Sequence, residues 1–255
     1  MEVKKRIIGA IIIHEGQAVQ SIGYKRYLPL GRPHTLAENL DRWGADEILI
    51  LSIDQSKKSL GPDLEFLSQV ANQVNTPLIY GGGIKNVTDA LNAIHAGADR
   101  IVIDSLFRES IAKVKNIAEV IGSQAVILSV PLALTDGKLY LYDYINRSNI
   151  MFSEFENEIA SSKFISELLV MDCYNDGKFN SFDAQLLDHL KLEIPLILYG
   201  GISELKQVSS LMQNNNVAAI GIGNFLNYQE LSIQKYKRGL EDTGLVRENR
   251  LSLRK

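Results

Sequence analysis

Glycine-rich turns that follow apolar runs are the first feature of this 255-residue sequence that could do chemistry. Gly82 and Gly83 follow the run PLIY, and Gly200 and Gly201 follow the run PLILY. Glycine lets backbone N–H groups approach an oxyanion closely, and the start of the next helix adds a favourable partial charge. The two turns predict a ligand with a phosphate at each end. Tight turns without any ligand are the alternative.

Three neighbouring residues extend these two predicted phosphate sites. Gly223 at the end of AAIGIG belongs to the second-half site, with Gly200 and Gly201. Asp104 and Ser105, at the end of the run RIVID, belong to the first-half site. A carboxylate at Asp104 would repel a phosphate. The phosphate site at Gly200 and Gly201 is therefore better supported than the site at Gly82 and Gly83.

Charged residues open four of the apolar runs: Arg6, Glu47, Arg100 and Glu167. The starts of parallel strands meet at one edge of a sheet or one end of a barrel, so the four side chains are expected to lie together there. An unpaired buried charge is costly, and we therefore expect ion pairs between them. A purely structural salt-bridge cluster is one interpretation of this set.

Eight apolar runs alternate with amphipathic helical patterns such as HTLAENLDRWG at 34–44 and DLEFLSQVANQV at 63–74. Continuous hydrophobicity is typical of strands buried on both faces of a parallel sheet. We predict an α/β fold, a single (β/α)8 TIM barrel over residues 1–255. The runs are RIIGAIII (6–13), EILILSI (47–53), PLIY (77–80), RIVID (100–104), AVILSV (125–130), ELLVMD (167–172), PLILY (195–199) and AAIGIG (218–223).

An internal repeat and two irregular segments refine this prediction. Similar segments begin at Tyr80 and Tyr199, 119 residues apart, which indicates duplicated half-barrels at roughly 1–122 and 123–240 with a tail at 241–255. Coincidence among generic βα units is the alternative. Residues 132–149 predict a hairpin after strand five, with its turn at Asp136-Gly137. The basic, aromatic segment 20–34 predicts a long loop above the top face, either a lid or docking surface or simply solvated.

The amino-acid composition restricts the classes of function that this protein can have. The net charge of −3 and pI of about 5.9 argue against a general nucleic-acid binder. The single cysteine, Cys173, excludes an internal disulfide and is most simply a packed thiol. The first apolar run is short and makes a poor signal peptide, and no run approaches the ~20 apolar residues of a membrane span. We expect a cytoplasmic protein with no membrane partner, no metal site and no cofactor.

The whole chain resembles the cyclase subunit of imidazole glycerol phosphate synthase. The matching stretches are RIIGAIIIHEGQAVQ, ADEILIL, GGGI, GADRIVIDS, IGSQAVILSV, DGKLYLYDY, ELLVMDCYNDG and YGGIS. The resemblance implies a barrel that takes ammonia from a partner glutaminase to cleave and cyclise a bisphosphorylated, nucleotide-like substrate. It also implies two aspartates, at the ends of strands one and five, as general acid and base.

This sequence departs from the family at both of those aspartates. The two positions align with Ile12 and Pro131, and neither residue can carry a proton. Loss of one acid or base commonly costs 10²–10⁴-fold in rate. The weak substitutes along the chain are His14 just past strand one, Asp54 two residues beyond the strand-two position, and Asp176. The resemblance also implies that Gly177 contacts the ligand, because Asp176-Gly177 after strand six is similar to the ligand loop of the family.

The resemblance gives the four charged residues at the strand starts a second interpretation. In the family such a ring gates the entry of ammonia from the glutaminase, which docks on that face as a heterodimer. The segment 20–34 and the first strand without its aspartate are similar to a branch associated with acetamidino modification of surface-polysaccharide sugars, in which an ATP-dependent sugar amidotransferase is a further partner. Channelling ammonia to that enzyme is our first hypothesis. An active cyclase of histidine biosynthesis, and a non-catalytic scaffold that binds a phosphorylated metabolite, are the alternatives.

Overall fold

The computed structural model describes residues 4–228 and 230–248. The strands are β1 (Arg6–His14), β2 (Gln17–Ile22), β3 (Arg26–Gly31), β4 (Glu47–Ser52), β5 (Leu78–Gly81), β6 (Arg100–Ile103), β7 (Val126–Thr135), β8 (Lys138–Asp143), β9 (Ser148–Met151), β10 (Glu167–Asp172), β11 (Leu196–Tyr199) and β12 (Val217–Ile222). The α-helices are α1 (Pro33–Arg42), α2 (Leu64–Ala71), α3 (Val87–His95), α4 (Ser105–Glu109), α5 (Ile111–Ile121), α6 (Glu156–Ser161), α7 (Gln185–His189), α8 (Leu205–Leu211) and α9 (Ser232–Leu240).

Eight of the strands form a closed parallel barrel, so the predicted (β/α)8 fold is confirmed. The order around the barrel is β1, β4, β5, β6, β7, β10, β11 and β12, and β12 pairs with β1 to close it. All eight predicted apolar runs are barrel strands. Their side chains are buried almost throughout, because one face of each strand packs inside the barrel and the other packs against the helices.

The core therefore has two layers. The outer layer lies between strands and helices and includes Ile7, Ile48 and Leu168. The inner layer fills the barrel and is apolar through most of its height, with Ile8, Leu49, Ile79, Val102, Ile127, Leu169, Ile197 and Ala219. This inner layer separates the N-terminal face of the barrel, at the bottom, from the C-terminal face, at the top.

Two hairpins rise above the top face. The predicted turn at Asp136-Gly137 is confirmed: both residues have positive φ (51° and 69°), as a two-residue type I′ turn requires, and they join β7 to β8. The segment 20–34 is not a long loop, which corrects our prediction. Residues 17–31 instead form the antiparallel pair β2–β3, whose tip lies at Gly23 to Lys25.

A buried ion pair ties α9 to the bottom of the barrel, where Lys237 Nζ lies 2.7 Å from Asp46 Oδ1. The segment after α9 returns to the same end, because Val246 forms a bridge with Lys5. Within the described ranges, none of the helices has both the length and the apolar character needed to cross a lipid bilayer.

Candidate functional site

A cavity of about 710 Å³ opens at the top of the barrel. Its wall comes from the C-terminal ends of the barrel strands and from both hairpins. Six tyrosines contribute to it: Tyr24, Tyr27, Tyr142, Tyr144, Tyr174 and Tyr199. Active sites of TIM barrels lie at this face, so the cavity is the candidate functional site.

The two positions where the resemblance expects aspartates lie at the tops of their strands. Ile12 lines the cavity and is 5% exposed. Pro131 is buried on β7 and pairs in register with Met171 on β10. Ile12 offers the cavity an apolar surface, and neither Ile12 nor Pro131 has a group that could exchange a proton.

The first-half glycine turn lies at the cavity wall. Gly82 and Gly83 have φ values of 138° and 73°, and Gly83 N–H donates to Ser56 Oγ at 3.2 Å. Burial raises the pKa of Tyr144 above its usual value, against hydrogen bonding with Ser56 and Ser105. Tyr144, Ser56 and Ser105 line the cavity together beside the turn where we predicted a phosphate.

Asp104 is paired, which modifies the prediction that it would repel an anion. Arg108, one helical turn later on α4, donates to Asp104 Oδ1 at 2.6 Å. Burial still raises the pKa of Asp104, although the Arg108 charge and a hydrogen bond from Ser129 oppose this. The carboxyl therefore lies in a low-dielectric wall with one charge partner.

The four second-half glycines lie outside the wall of this cavity: Gly177, Gly200, Gly201 and Gly223. Each is packed closely against other backbone or side chains. A Cβ at Gly177 would lie 2.3 Å from the Ser21 carbonyl oxygen, and one at Gly223 would lie 2.8 Å from the Tyr199 hydroxyl. Close packing between protein segments explains why these positions need glycine.

The proposed substitute acid–base groups have three different environments. His14 stacks on Tyr27 with ring centroids 4.7 Å apart. Burial favours a higher pKa for Asp54, but hydrogen bonds from Lys58 (2.9 Å) and the backbone outweigh it, so the pKa lies below its usual value. Burial raises the pKa of Asp176 to about 6, against a hydrogen bond from Ser21 Oγ at 2.6 Å. Of the two carboxyl groups, Asp176 is therefore the one suited to proton transfer near neutral pH.

Tyr24 at the tip of the β2–β3 hairpin lies between the apolar interior of the barrel and the cavity, in contact with both. Its φ of 60° is rare for a bulky residue, and its side chain packs against the inner core layer. The hydroxyl donates to Met171 Sδ at 3.3 Å, a weak acceptor. The tip is held because Gly23 N–H donates to the Asp176 carbonyl at 2.9 Å. Cys173 lies beside Tyr24, and burial raises the pKa of its thiol well above the usual value.

At the opposite end, Arg6, Glu47, Arg100 and Glu167 form a closed ring of alternating charge. Arg6 pairs with Glu47 at 2.9 Å and also with Glu167. Arg100 pairs with Glu167 at 2.5 Å and with Glu47 at 3.4 Å. The four side chains are 9–14% exposed, and burial raises the pKa of Glu47 despite both arginines. The ring covers the bottom of the apolar inner layer.

Comparison with known proteins agrees with this architecture. Residues 6–232 match the family described as histidine biosynthesis protein, and the chain belongs to that family. It is 28% identical to the imidazole glycerol phosphate synthase subunit HisF of an Exiguobacterium species over 239 residues, 92% of each chain. It is 31% identical to a putative imidazole glycerol phosphate synthase subunit hisF2 of Vibrio vulnificus, over 90% of this chain and 86% of the relative. It is 27% identical to HisF of Clostridium botulinum, over 95% and 98% of the two chains.

Sequence reasoning missed three residues of the cavity region. Arg108 is visible only as an i+4 partner of Asp104, a spacing shared by many helical pairs. Tyr144 lies in a hairpin whose fold over the barrel depends on tertiary packing. Tyr24 was placed in a surface loop, and no local pattern signals that its ring turns inward.

Proposed function

We propose that this barrel docks a glutaminase at its bottom face and passes ammonia along its axis to a separate, ATP-dependent sugar amidotransferase at the top face. The process served would be acetamidino modification of surface-polysaccharide sugars. In this proposal the chain has kept the ammonia route of its family and lost the cyclisation reaction.

The observation that carries the proposal is the closed ring of Arg6, Glu47, Arg100 and Glu167 beneath an apolar interior. Neutral ammonia can cross an apolar interior, whereas burial of the ammonium ion would cost far more. A four-charge ring that is paired within itself can open by exchange of partners without leaving a charge unpaired. Buried ion pairs seldom add net stability, which favours a role beyond structure.

The top of the barrel supports the second part of the proposal. In this proposal Ile12 and Pro131 stand where the family has its acid and its base. Tyr24 packs against the top of the barrel interior and lines the cavity. Ammonia that reaches this level would have to pass Tyr24 before it enters the cavity. A partner that docks on the β2–β3 hairpin could control that step, because Tyr24 is part of the hairpin tip.

The test measures transfer of nitrogen to the sugar by the complex of this chain, its glutaminase and its amidotransferase. Glutamine and ammonium chloride serve as alternative nitrogen sources. Glu167→Gln breaks the ring, and we expect it to reduce glutamine-dependent transfer at least tenfold while ammonium-dependent transfer is unchanged. Glu119→Gln, at an exposed pair on α5, is the matched control. Equal rates for Glu167→Gln and the unaltered chain with both nitrogen sources would refute the ammonia route.

An active cyclase is the second candidate, and Asp176 is the observation that favours it. Its pKa of about 6 lets it both donate and accept a proton near neutral pH. The test supplies the purified chain with the bisphosphorylated substrate of the histidine pathway and excess ammonium chloride. Turnover that is lost in Asp176→Asn would establish this function in place of the first. If there is neither turnover nor nitrogen transfer, the non-catalytic scaffold is the remaining candidate.

A further inference from the structure

The top cavity has an aromatic wall that the ammonia route does not require. Six tyrosines line it, and two aromatic contacts organise their rings: Tyr24 meets Tyr142 edge-on at 6.1 Å, and Tyr27 stacks on His14. A tyrosine offers an apolar ring face and a polar hydroxyl from one rigid side chain. Sugar rings present the matching surface, with C–H groups on their faces and hydroxyl groups at their edges.

The inner wall of the cavity offers hydrogen-bonding partners for the hydroxyl groups of a ligand. Tyr144, Ser56 and Ser105 line it beside the first glycine turn, and each carries a hydroxyl group. Asp104 and Asp176 line the same interior. A carboxyl oxygen accepts hydrogen bonds from hydroxyl groups. The inner wall therefore presents hydroxyl and carboxyl groups that match the hydroxyl groups of a sugar ring.

The mouth of the cavity has the opposite charge. Lys25 at the β2–β3 tip, Lys57 after β4 and Arg147 between β8 and β9 all line the opening and are exposed. Basic side chains at a rim bind the phosphates of a ligand whose uncharged part lies deeper. The cavity volume of about 710 Å³ is within the usual range for small-molecule sites.

We propose that the top cavity binds a nucleotide-linked sugar, with the sugar ring against the tyrosines and the diphosphate at Lys25, Lys57 and Arg147. The inference rests on the proposed function, which it deepens: the acceptor of the ammonia would bind at the exit of the barrel itself. Ammonia that passed Tyr24 would then emerge next to the sugar instead of in bulk water.

The first experiment measures binding of three probes to the purified full chain by calorimetry and saturation-transfer NMR. The probes are UDP-N-acetylglucosamine, UDP and N-acetylglucosamine. We expect UDP-N-acetylglucosamine to bind at least tenfold more tightly than either part, with saturation transfer to the sugar-ring protons. Equal affinity for UDP alone, no saturation of the sugar protons, or no binding of any probe would each overturn the inference.

Variants then locate the ligand. Tyr142→Ala should weaken binding of UDP-N-acetylglucosamine at least tenfold, whereas Tyr140→Ala should not, because Tyr140 lies on the same strand but outside the cavity wall. Arg147→Ala, at an exposed residue, should weaken UDP-N-acetylglucosamine binding without affecting folding. Unchanged affinity in both Tyr142→Ala and Arg147→Ala would place the ligand elsewhere and refute the site.

The nitrogen-transfer assay separates failure of this inference from failure of the proposed function. A ring variant that loses glutamine-dependent transfer, in a chain that binds none of the probes, would leave the ammonia route standing and remove the sugar site. If the chain binds UDP-N-acetylglucosamine tightly but its ring variants transfer nitrogen normally, the sugar site stands and the ammonia route is refuted.

Discussion

The ion pair between Lys237 and Asp46 gives a stability prediction that can be worked from the structure. The two residues are 3% and 1% exposed, and the nitrogen–oxygen distance is 2.7 Å. The second carboxylate oxygen of Asp46 accepts a hydrogen bond from Ile7 N–H at 2.8 Å. The pair therefore connects α9 to the starts of β1 and β4, and both charges depend on each other for compensation.

Lys237→Met keeps most of the side-chain volume and removes the cation. Because it leaves an uncompensated buried carboxylate, we expect a loss of about 3–5 kcal/mol in the free energy of unfolding. At roughly 2–4 °C per kcal/mol for a chain of this size, the melting temperature should fall by about 6–20 °C. Adding Asp46→Asn removes the stranded charge while its amide oxygen can still accept from Ile7 N–H. The double variant should therefore recover at least about half of the loss.

The assay is urea unfolding followed by circular dichroism, combined into a double-mutant cycle. Lys115→Met is the matched control, because Lys115 belongs to an exposed pair with Glu119 on α5, and its free energy of unfolding should change by less than about 0.5 kcal/mol. If Lys237→Met costs no more than Lys115→Met, or if the double variant is less stable than Lys237→Met, the reasoning about charge compensation is wrong.

Three further predictions concern the candidate site. Because the pKa of Asp176 is about 6 when folded, the folded state binds its proton more tightly, and stability is lost as pH rises from about 4 through 6. Asp176→Asn should therefore stabilise the chain by about 2–3 kcal/mol at pH 7.5, with the gain vanishing near pH 4 in urea titrations at each pH. Gly177→Ala should lower the free energy of unfolding by about 2–4 kcal/mol, because its Cβ would lie 2.3 Å from a backbone oxygen. Gly137→Ala is the control: its φ is similar but the space around it is open, so the loss should be about 1 kcal/mol. The Cys173 thiol, buried and raised in pKa, should react with a thiol reagent at pH 8 only after unfolding, and rapid labelling of the native chain would contradict its burial.

The barrel could be predicted from the sequence because its strands are buried on both faces. Runs such as EILILSI carry no polar alternation, and eight of them separated by helical patterns leave few architectures to consider. The turn at Asp136-Gly137 was also predictable, because a two-residue hairpin turn needs two residues with positive φ and Asp-Gly is a favoured pair there. The β2–β3 hairpin was not, because its strands are partly exposed, and Pro29 interrupts the apolar pattern.

The candidate site was harder to predict because its chemistry depends on side chains far apart in the sequence. Ser21 and Asp176 hydrogen-bond across 155 residues, and Tyr24 reaches Met171 across 147. No local spacing encodes such contacts. The charges at the strand starts were predictable as a group, since their places on parallel strands fix one common end, but their pairing into a closed ring is a tertiary result.

The two ends of the barrel differ in the chemistry of their side chains. At the bottom, four charged side chains satisfy one another, and a change in any one would leave a partner unpaired in a buried position. At the top, Ile12 and Pro131 are apolar, yet the region around them is rich in polar groups: Asp104, Asp176 and six tyrosines. Apolar residues would pack the same space at a lower cost in free energy, so a purely structural role would not require so polar a wall. The polar wall therefore supports the ligand site that we propose at the top of the barrel.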